Sequence, residues 1–182
     1  MKTLPNPFQA IIQSHYSNRL QRQLTDKDRL QAVYSSRFWN SPEHDKLRQF
    51  CNTAALMLEC PHAHISLVTD SVQRIVAANE AYAAIEGKDE ELPDFSVCQH
   101  VVGFEDALPI NDMNAEPTVC HVNVVTEGGM KAYLGVPLMS RDQIIGAFCV
   151  LDEKEREWTD IDVTALAQLA SALVSMHEVG AL

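Results

Sequence analysis

Basic residues are scarce in this chain: 14 Lys and Arg stand against 25 Asp and Glu, for a formal net charge of −11. Phosphate contact needs clustered Lys and Arg, so this balance excludes general binding to nucleic acid or to an anionic membrane surface. No apolar run is long enough to cross a bilayer. The start, MKTLPNPFQAIIQSHY, lacks the charged-then-apolar pattern of a signal peptide. No cysteines are spaced as CxxC. The five present, Cys51, Cys60, Cys98, Cys120 and Cys149, are odd in number and scattered. Free thiols in a reducing cytoplasm are the expectation. Repeats, low-complexity segments and linkers are absent. What remains is 182 residues, 46% hydrophobic and 21% charged, which suits one globular domain with some added helix.

The most telling stretch is KAYLGVPLMSRDQIIGAFCVL, Lys131 to Leu151. It reads as two strands joined by a polar turn at Ser140, Arg141, Asp142 and Gln143. Ala132, Leu134, Val136 and Leu138 alternate with Tyr133, Gly135, Pro137 and Met139. Ile145, Ala147, Cys149 and Leu151 alternate with Ile144, Gly146, Phe148 and Val150. Both sets are largely apolar, so the hairpin is expected to be covered on both faces.

Pro7 to Leu24 reads as a helix, with an apolar stripe at Phe8, Ile12, Tyr16, Leu20 and Leu24. Thr25 offers an N-cap with Asp28 three residues on. A short helix follows to about Tyr34, and then a loop carrying Arg37, Phe38 and Trp39. Ser41-Pro42 starts a helix that buries Leu47, Phe50, Cys51, Ala54 and Leu58. His62–Thr69 and Val72–Ala77 form a hairpin. A small polar helix and loop, a short helix near Ser96–Gly103, a short strand at Ala107–Ile110 and an irregular stretch up to Gly128-Gly129 come next. Thr159 and Asp162 cap a last helix whose core stripe is Leu166, Leu169, Leu173 and Met176. This order gives an α+β fold with an antiparallel sheet, since βαβ alternation is missing. The division expected is an N-terminal helical extension, residues 1–24, and one domain, residues 25–182.

A series of motifs resembles one family. Asp28-Arg29-Leu30-Gln31-Ala32-Val33-Tyr34, with Asn40-Ser41-Pro42-Glu43 and Asp45-Lys46-Leu47, is similar to the run ARLAALxxYxILDTPPExxFDxLTxLAA. Ala63-His64-Ile65-Ser66-Leu67-Val68-Thr69-Asp70 resembles AxISLVD. Ser96-Val97-Cys98-Gln99-His100-Val101-Val102 resembles SFCAHAI. Leu108 to Met113 resembles LVVPDA. Lys131–Leu138 and Ile145–Asp152 resemble RFYAGAPL and IGTLCVID. These are motifs of bacterial sensor GAF domains, and the likeness runs from about Asp28 to the C-terminus. It implies a GAF-like central antiparallel β-sheet, with N- and C-terminal helices on one face and a ligand pocket on the other. The family also carries a proline at the place of Pro137, so a bulge or an unpaired position is expected there.

The candidate ligand-binding residues are Cys98, His100, Asp112, Cys120, His121 and Tyr133. Cys98 and His100 could act as thiol and imidazole at a pocket edge, although packing beneath the sheet is the plainer reading. Cys120-His121 resembles the bilin attachment of cyanobacteriochrome-type GAF domains, where such a cysteine bonds a linear tetrapyrrole. Asp112, Tyr133 and the Gly128-Gly129 backbone could meet at the pocket. Cys60, His62 and His64 invite a zinc reading, but no fourth ligand is near, and no metal is expected.

The leading expectation is a free-standing, non-catalytic, cytoplasmic sensor that binds a small molecule. It signals through a protein partner or through a homodimer formed by the Phe8–Leu24 stripe and the Thr159–Val179 helix. One alternative is a bilin photoreceptor attached through Cys120. The other resembles the free-standing GAF proteins that reduce methionine sulfoxide, with Cys98 and Cys120 as the pair.

Overall fold

A computed structural model of the chain describes residues 7–40, 44–85, 89–91 and 96–178. Six strands form one antiparallel sheet: β1 (His62–Val68), β2 (Val72–Ala78), β3 (Asp89–Glu91), β4 (Leu108–Ile110), β5 (Ala132–Ser140) and β6 (Gln143–Asp152), in the order β3-β2-β1-β6-β5-β4. The two longest strands are the hairpin expected from Lys131–Leu151. Their turn is Arg141 and Asp142, at φ 49° and 62°. Two successive left-handed residues match the twist of the strands they join.

Alternation separates two cores. Leu134, Val136, Leu138, Phe148, Val150, Ala63, Ile65 and Leu67 face one side. There they meet α2 (Lys27–Ser35), α3 (Arg37–Asn40), α4 (His44–Met57) and α7 (Asp160–Glu178). Tyr133, Ala147, Cys149, Leu151 and Val68 face the other side, under α5 (Cys98–Phe104) and α6 (Asn123–Thr126). Each face is thus apolar because each is covered, as the two apolar sets imply.

Several local expectations need correction. Ile145 packs with the first core and not with Ala147 and Cys149. The register skips between Leu138 and Met139, which pair with Gly146 and Ile144, so Ile145 is an extra residue and changes face. The irregularity therefore falls after Pro137, which pairs in register with Ala147. Pro137 is tolerated because β4 ends opposite Gly135, leaving β5 an edge strand beyond it. Arg37 to Asn40 is a helical turn with Phe38 buried, not a loop. Asp26, not Thr25, caps α2, accepting from Arg29 N at 2.8 Å, because the Thr25 hydroxyl donates back to Gln21 O. On α7, His177, buried against Phe38 at 4.1 Å between ring centres, takes the core place expected for Met176, which is 40% exposed. The Thr159–Asp162 capping box is present, with bonds of 2.9 and 3.2 Å. Ser41-Pro42 lies outside the described residues.

The extension, α1 (Pro7–Leu24), lies across α5, on the face opposite α7. Leu24 belongs to the second core and Leu20 packs against it. A Cβ on Gly103 would come within 2.6 Å of Leu20 Cδ1, so glycine lets the two helices approach. At its C-terminal end α1 is tied to the sheet by Arg29, which is 2% exposed. Its guanidinium donates to Gln23 O, Leu24 O, Val68 O and Ile144 O at 2.8, 2.9, 2.7 and 3.4 Å.

Candidate functional site

The site grows from side-chain alternation on three neighbouring strands. His64 on β1 stands directly opposite Cys149 on β6, and Cys149 stands opposite Gly135 on β5. Tyr133 shares that face two residues before Gly135. A Cβ on Gly135 would sit 2.2 Å from the Tyr133 hydroxyl. Glycine therefore lets the phenol lie along its own strand, where its hydroxyl donates to Cys98 Sγ at 3.3 Å. Cys98 opens α5. Ser96 holds that helix start in place: its hydroxyl donates to Gln73 on β2 at 2.5 Å and accepts from Gln99 N at 3.0 Å.

Three donor atoms converge at this point. Cys98 Sγ lies 3.9 Å from Cys149 Sγ and 3.7 Å from His64 Nε2. Cys149 Sγ lies 3.1 Å from His64 Nε2. All three residues are buried, as is Tyr133. Tyr82 stacks on the imidazole at 5.5 Å between ring centres. Two thiols this close hold one negative charge between them. Burial resists a thiolate at Cys98, but hydrogen bonds from Cys149 and His64 and attraction to His64 outweigh it and hold its pKa well below the usual thiol range. Burial and the hydrogen bond and charge of Cys98 push Cys149 well above that range. Burial and the Cys98 charge also push Tyr133 up, keeping it a donor.

Beside this cluster is a cavity of about 350 Å³, lined by His64, Gln73, Tyr82, Cys98, Glu127 and Tyr133 among others. Its volume is at the small end of the range for ligand pockets.

Of the six residues proposed from sequence, Cys98 and Tyr133 meet at this cavity. His100 and His121 line a separate groove of about 160 Å³ beneath α1, with Tyr16 and Leu20. There the Tyr16 hydroxyl contacts His100 Nδ1, and Tyr16 stacks on Phe104 at 4.7 Å. Burial, and next the nearby His121 charge, pull the His100 pKa down to about 4. Cys120 is half-buried, with Sγ 4.0 Å from Pro117 O. Asp112 accepts from Asn114 N at 2.9 Å in the turn after β4. Neither Cys120 nor Asp112 lines the cavity or the groove.

His64 and Cys149 were missed as site residues. In the sequence His64 stands beside its chain neighbours Cys60 and His62, whereas its partner is across the sheet. Cys60 Sγ points to Leu58 O and His62 Nε2 to Glu153, so those three do not converge. The usable signal was alternation: Cys149 falls in one set with Ala147 and Leu151, and His64 sits mid-strand.

The GAF domain family matches residues 42–176. This chain is a GAF domain protein. Solved structures that resemble it in fold include the following three. The GAF domain of a phosphoenolpyruvate-protein phosphotransferase from Acinetobacter is 19% identical over 92% of this chain and 98% of that one, with a TM-score of 0.58. The PixJ GAF domain of Thermosynechococcus elongatus, in its blue-light absorbing form, is 20% identical over 74% and 86%, at 0.59. The free methionine-R-sulfoxide reductase of Neisseria meningitidis, in complex with its substrate, is 16% identical over 91% and 89%, at 0.59. No curated protein matches the chain in sequence. Among the described residues no helix is long and apolar enough to cross a membrane.

Proposed function

We propose that this GAF domain is a non-catalytic cytoplasmic sensor that binds a small molecule in the 350 Å³ cavity between α5, α6 and the sheet. The observation that carries this reading is the convergence of polar side chains from separate elements on one space whose wall is half apolar. Gln73 comes from β2, His64 from β1, Tyr133 from β5, and Asn123 and Glu127 from the α6 segment, among Val97, Val124 and Leu151. The ligand is small, with groups that hydrogen-bond to a phenol, an imidazole and an amide.

The output element is α1, which rests on the same short helix that roofs the cavity, and it passes the signal to a partner or to a second copy of the chain. The photoreceptor and reductase readings draw less support. Both need Cys120, whose sulfur faces Pro117 O outside the cavity lining, while the sulfur beside Cys98 is that of Cys149.

Mass spectrometry of the native full chain tests the reading. Wild type is expected to release a bound molecule, or to melt higher with one member of a metabolite panel. Val124→Trp, which fills the cavity from a half-buried rim position, is expected to abolish that effect while melting like ligand-free wild type. A wild-type chain that carries nothing and ignores the whole panel overturns the proposal, as does a ligand that still binds Val124→Trp.

A further inference from the structure

We infer that His64, Cys98 and Cys149 form a binding site for a thiophilic divalent cation of the zinc class, set in the wall of the cavity. The site stands apart from the small-molecule reading, because the ion needs only these three donors. Their ligand atoms lie within 4.8 Å of one another. In a tetrahedral zinc centre, bond lengths near 2.3 Å to sulfur and 2.0–2.1 Å to nitrogen set two sulfurs about 3.8 Å apart and sulfur and nitrogen about 3.6 Å apart. The sulfurs here are 3.9 Å apart, and His64 Nε2 is 3.7 Å from one and 3.1 Å from the other. Two edges already fit, and the third needs to open by about half an ångström.

Ligand type and charge narrow the ion. Two sulfurs and an imidazole nitrogen suit zinc and exclude magnesium and calcium, which take oxygen. A divalent ion with two thiolates and a neutral imidazole sums to zero charge. That matters where the ligands are 4%, 1% and 0% exposed, since a net charge there has little solvent to balance it. Any proton still held on the sulfurs or on Nε2 leaves to solvent as the ion binds, so no oxidant or reductant is required. His64 and Cys98 both line the cavity, which leaves a fourth position on that side. Water, or an oxygen, nitrogen or sulfur atom of a cavity ligand, completes the coordination, with the Tyr133 hydroxyl beside it.

The test uses the reduced, chelator-treated full chain without air. Titration with Zn²⁺ against a colorimetric chelator is expected to show one ion per chain. Co²⁺ is expected to give a thiolate charge-transfer band and the strong visible bands of four-coordination. Cys149→Ser and Cys98→Ser are expected to weaken Zn²⁺ binding by about 100-fold or more, and Cys60→Ser, in the opposite core, to leave it unchanged. Should the serine variants unfold, X-ray absorption on the wild-type Zn²⁺ form decides: two sulfurs and one imidazole nitrogen support the site. A reduced wild type that takes up no Zn²⁺, a sulfur-free coordination shell, or full affinity in a folded Cys149→Ser chain each overturns it. A Cys98–Cys149 disulfide that survives excess reductant overturns it as well.

Discussion

Replacing Arg29 by methionine tests how the extension is held to the domain. Burial, against the attraction of Asp26 and Asp70, lowers the guanidinium pKa to about 10, so it stays charged at neutral pH. Three of its four bonds are 2.9 Å or shorter and end on carbonyls of α1 and β1. Gln23 O and Leu24 O belong to the last turn of α1, where carbonyls have no partner within the helix and the helix dipole is negative. Methionine replaces the apolar stem but removes the guanidinium donor from these three carbonyls, leaving Gln23 O only the Asp26 N–H at 3.3 Å. At about 1 kcal/mol each, the loss is about 3 kcal/mol. With a urea slope of about 2 kcal/mol per molar, the unfolding midpoint falls by about 1.5 M. Arg29→Lys should lose roughly half as much, because a point charge cannot reach carbonyls on both sides of a planar fork. Urea titration followed by circular dichroism reads both variants. Hydrogen exchange should quicken in α1 before β5 and β6. An Arg29→Met chain within about 0.5 kcal/mol of wild type would refute the reasoning, by showing that burying the charge costs as much as its bonds contribute.

Gly146→Ala places a Cβ 1.9 Å from Ser66 O in the backbone of β1, so it should cost about 4 kcal/mol or prevent folding. Gly103→Ala meets first the flexible end of Leu20, at 2.6 Å, and should cost under about 1 kcal/mol in thermal melts. His100 also predicts an acid-sensitive domain. Its folded pKa, about 4, lies below the ordinary value of 6.5, so as pH falls through that window the unfolded chain takes up the proton and the folded chain resists it. Stability should therefore be complete above pH 6.5 and decline towards pH 4, by up to about 3 kcal/mol. His121, Glu116, the Cys98 charge and the Thr118 backbone face the same ring, and replacing His100 by glutamine should flatten the slope if the ring is its source.

Much of the fold was legible because it rests on short-range patterns. Period-two apolar sets located β1, β5 and β6, and a Thr-x-x-Asp box located α7. The failures are where local and tertiary preferences part. A one-residue skip between Leu138 and Met139 moved Ile145 to the other face, and no periodicity marks a bulge in advance. Asp89–Glu91 is a strand only because β2 has a free edge to pair with; its acidic side chains argue against a strand. The site was half legible. Cys98 and Tyr133 follow from motifs near the expected pocket. His64 and Cys149 are 85 residues apart, and they meet through the register of β1 on β6, which nothing in either segment specifies alone.

The cavity and α1 both rest on one very short element. Cys98, the first residue of α5, sits in the cavity wall, and Gly103 and Phe104, at its other end, lie under Leu20 and Tyr16. A helix of seven residues spans about 10 Å. The contacts joining it to α1 are modest. Arg19 bonds Glu105 and Phe104 O in the open, where the ion pair contributes at most about 1 kcal/mol. The Tyr16–His100 contact and the Leu20 packing add a comparable amount. The far end of α1 is fixed by Arg29 instead. The helix is thus anchored at Leu24 and held only weakly towards Tyr16. A cavity ligand or metal ion that favours one tilt of α5 by 2–3 kcal/mol would shift α1 between docked and undocked populations by about 30- to 150-fold. That difference is well within what one additional hydrogen bond and one coordinated atom supply, so a switch through α5 would need no large rearrangement.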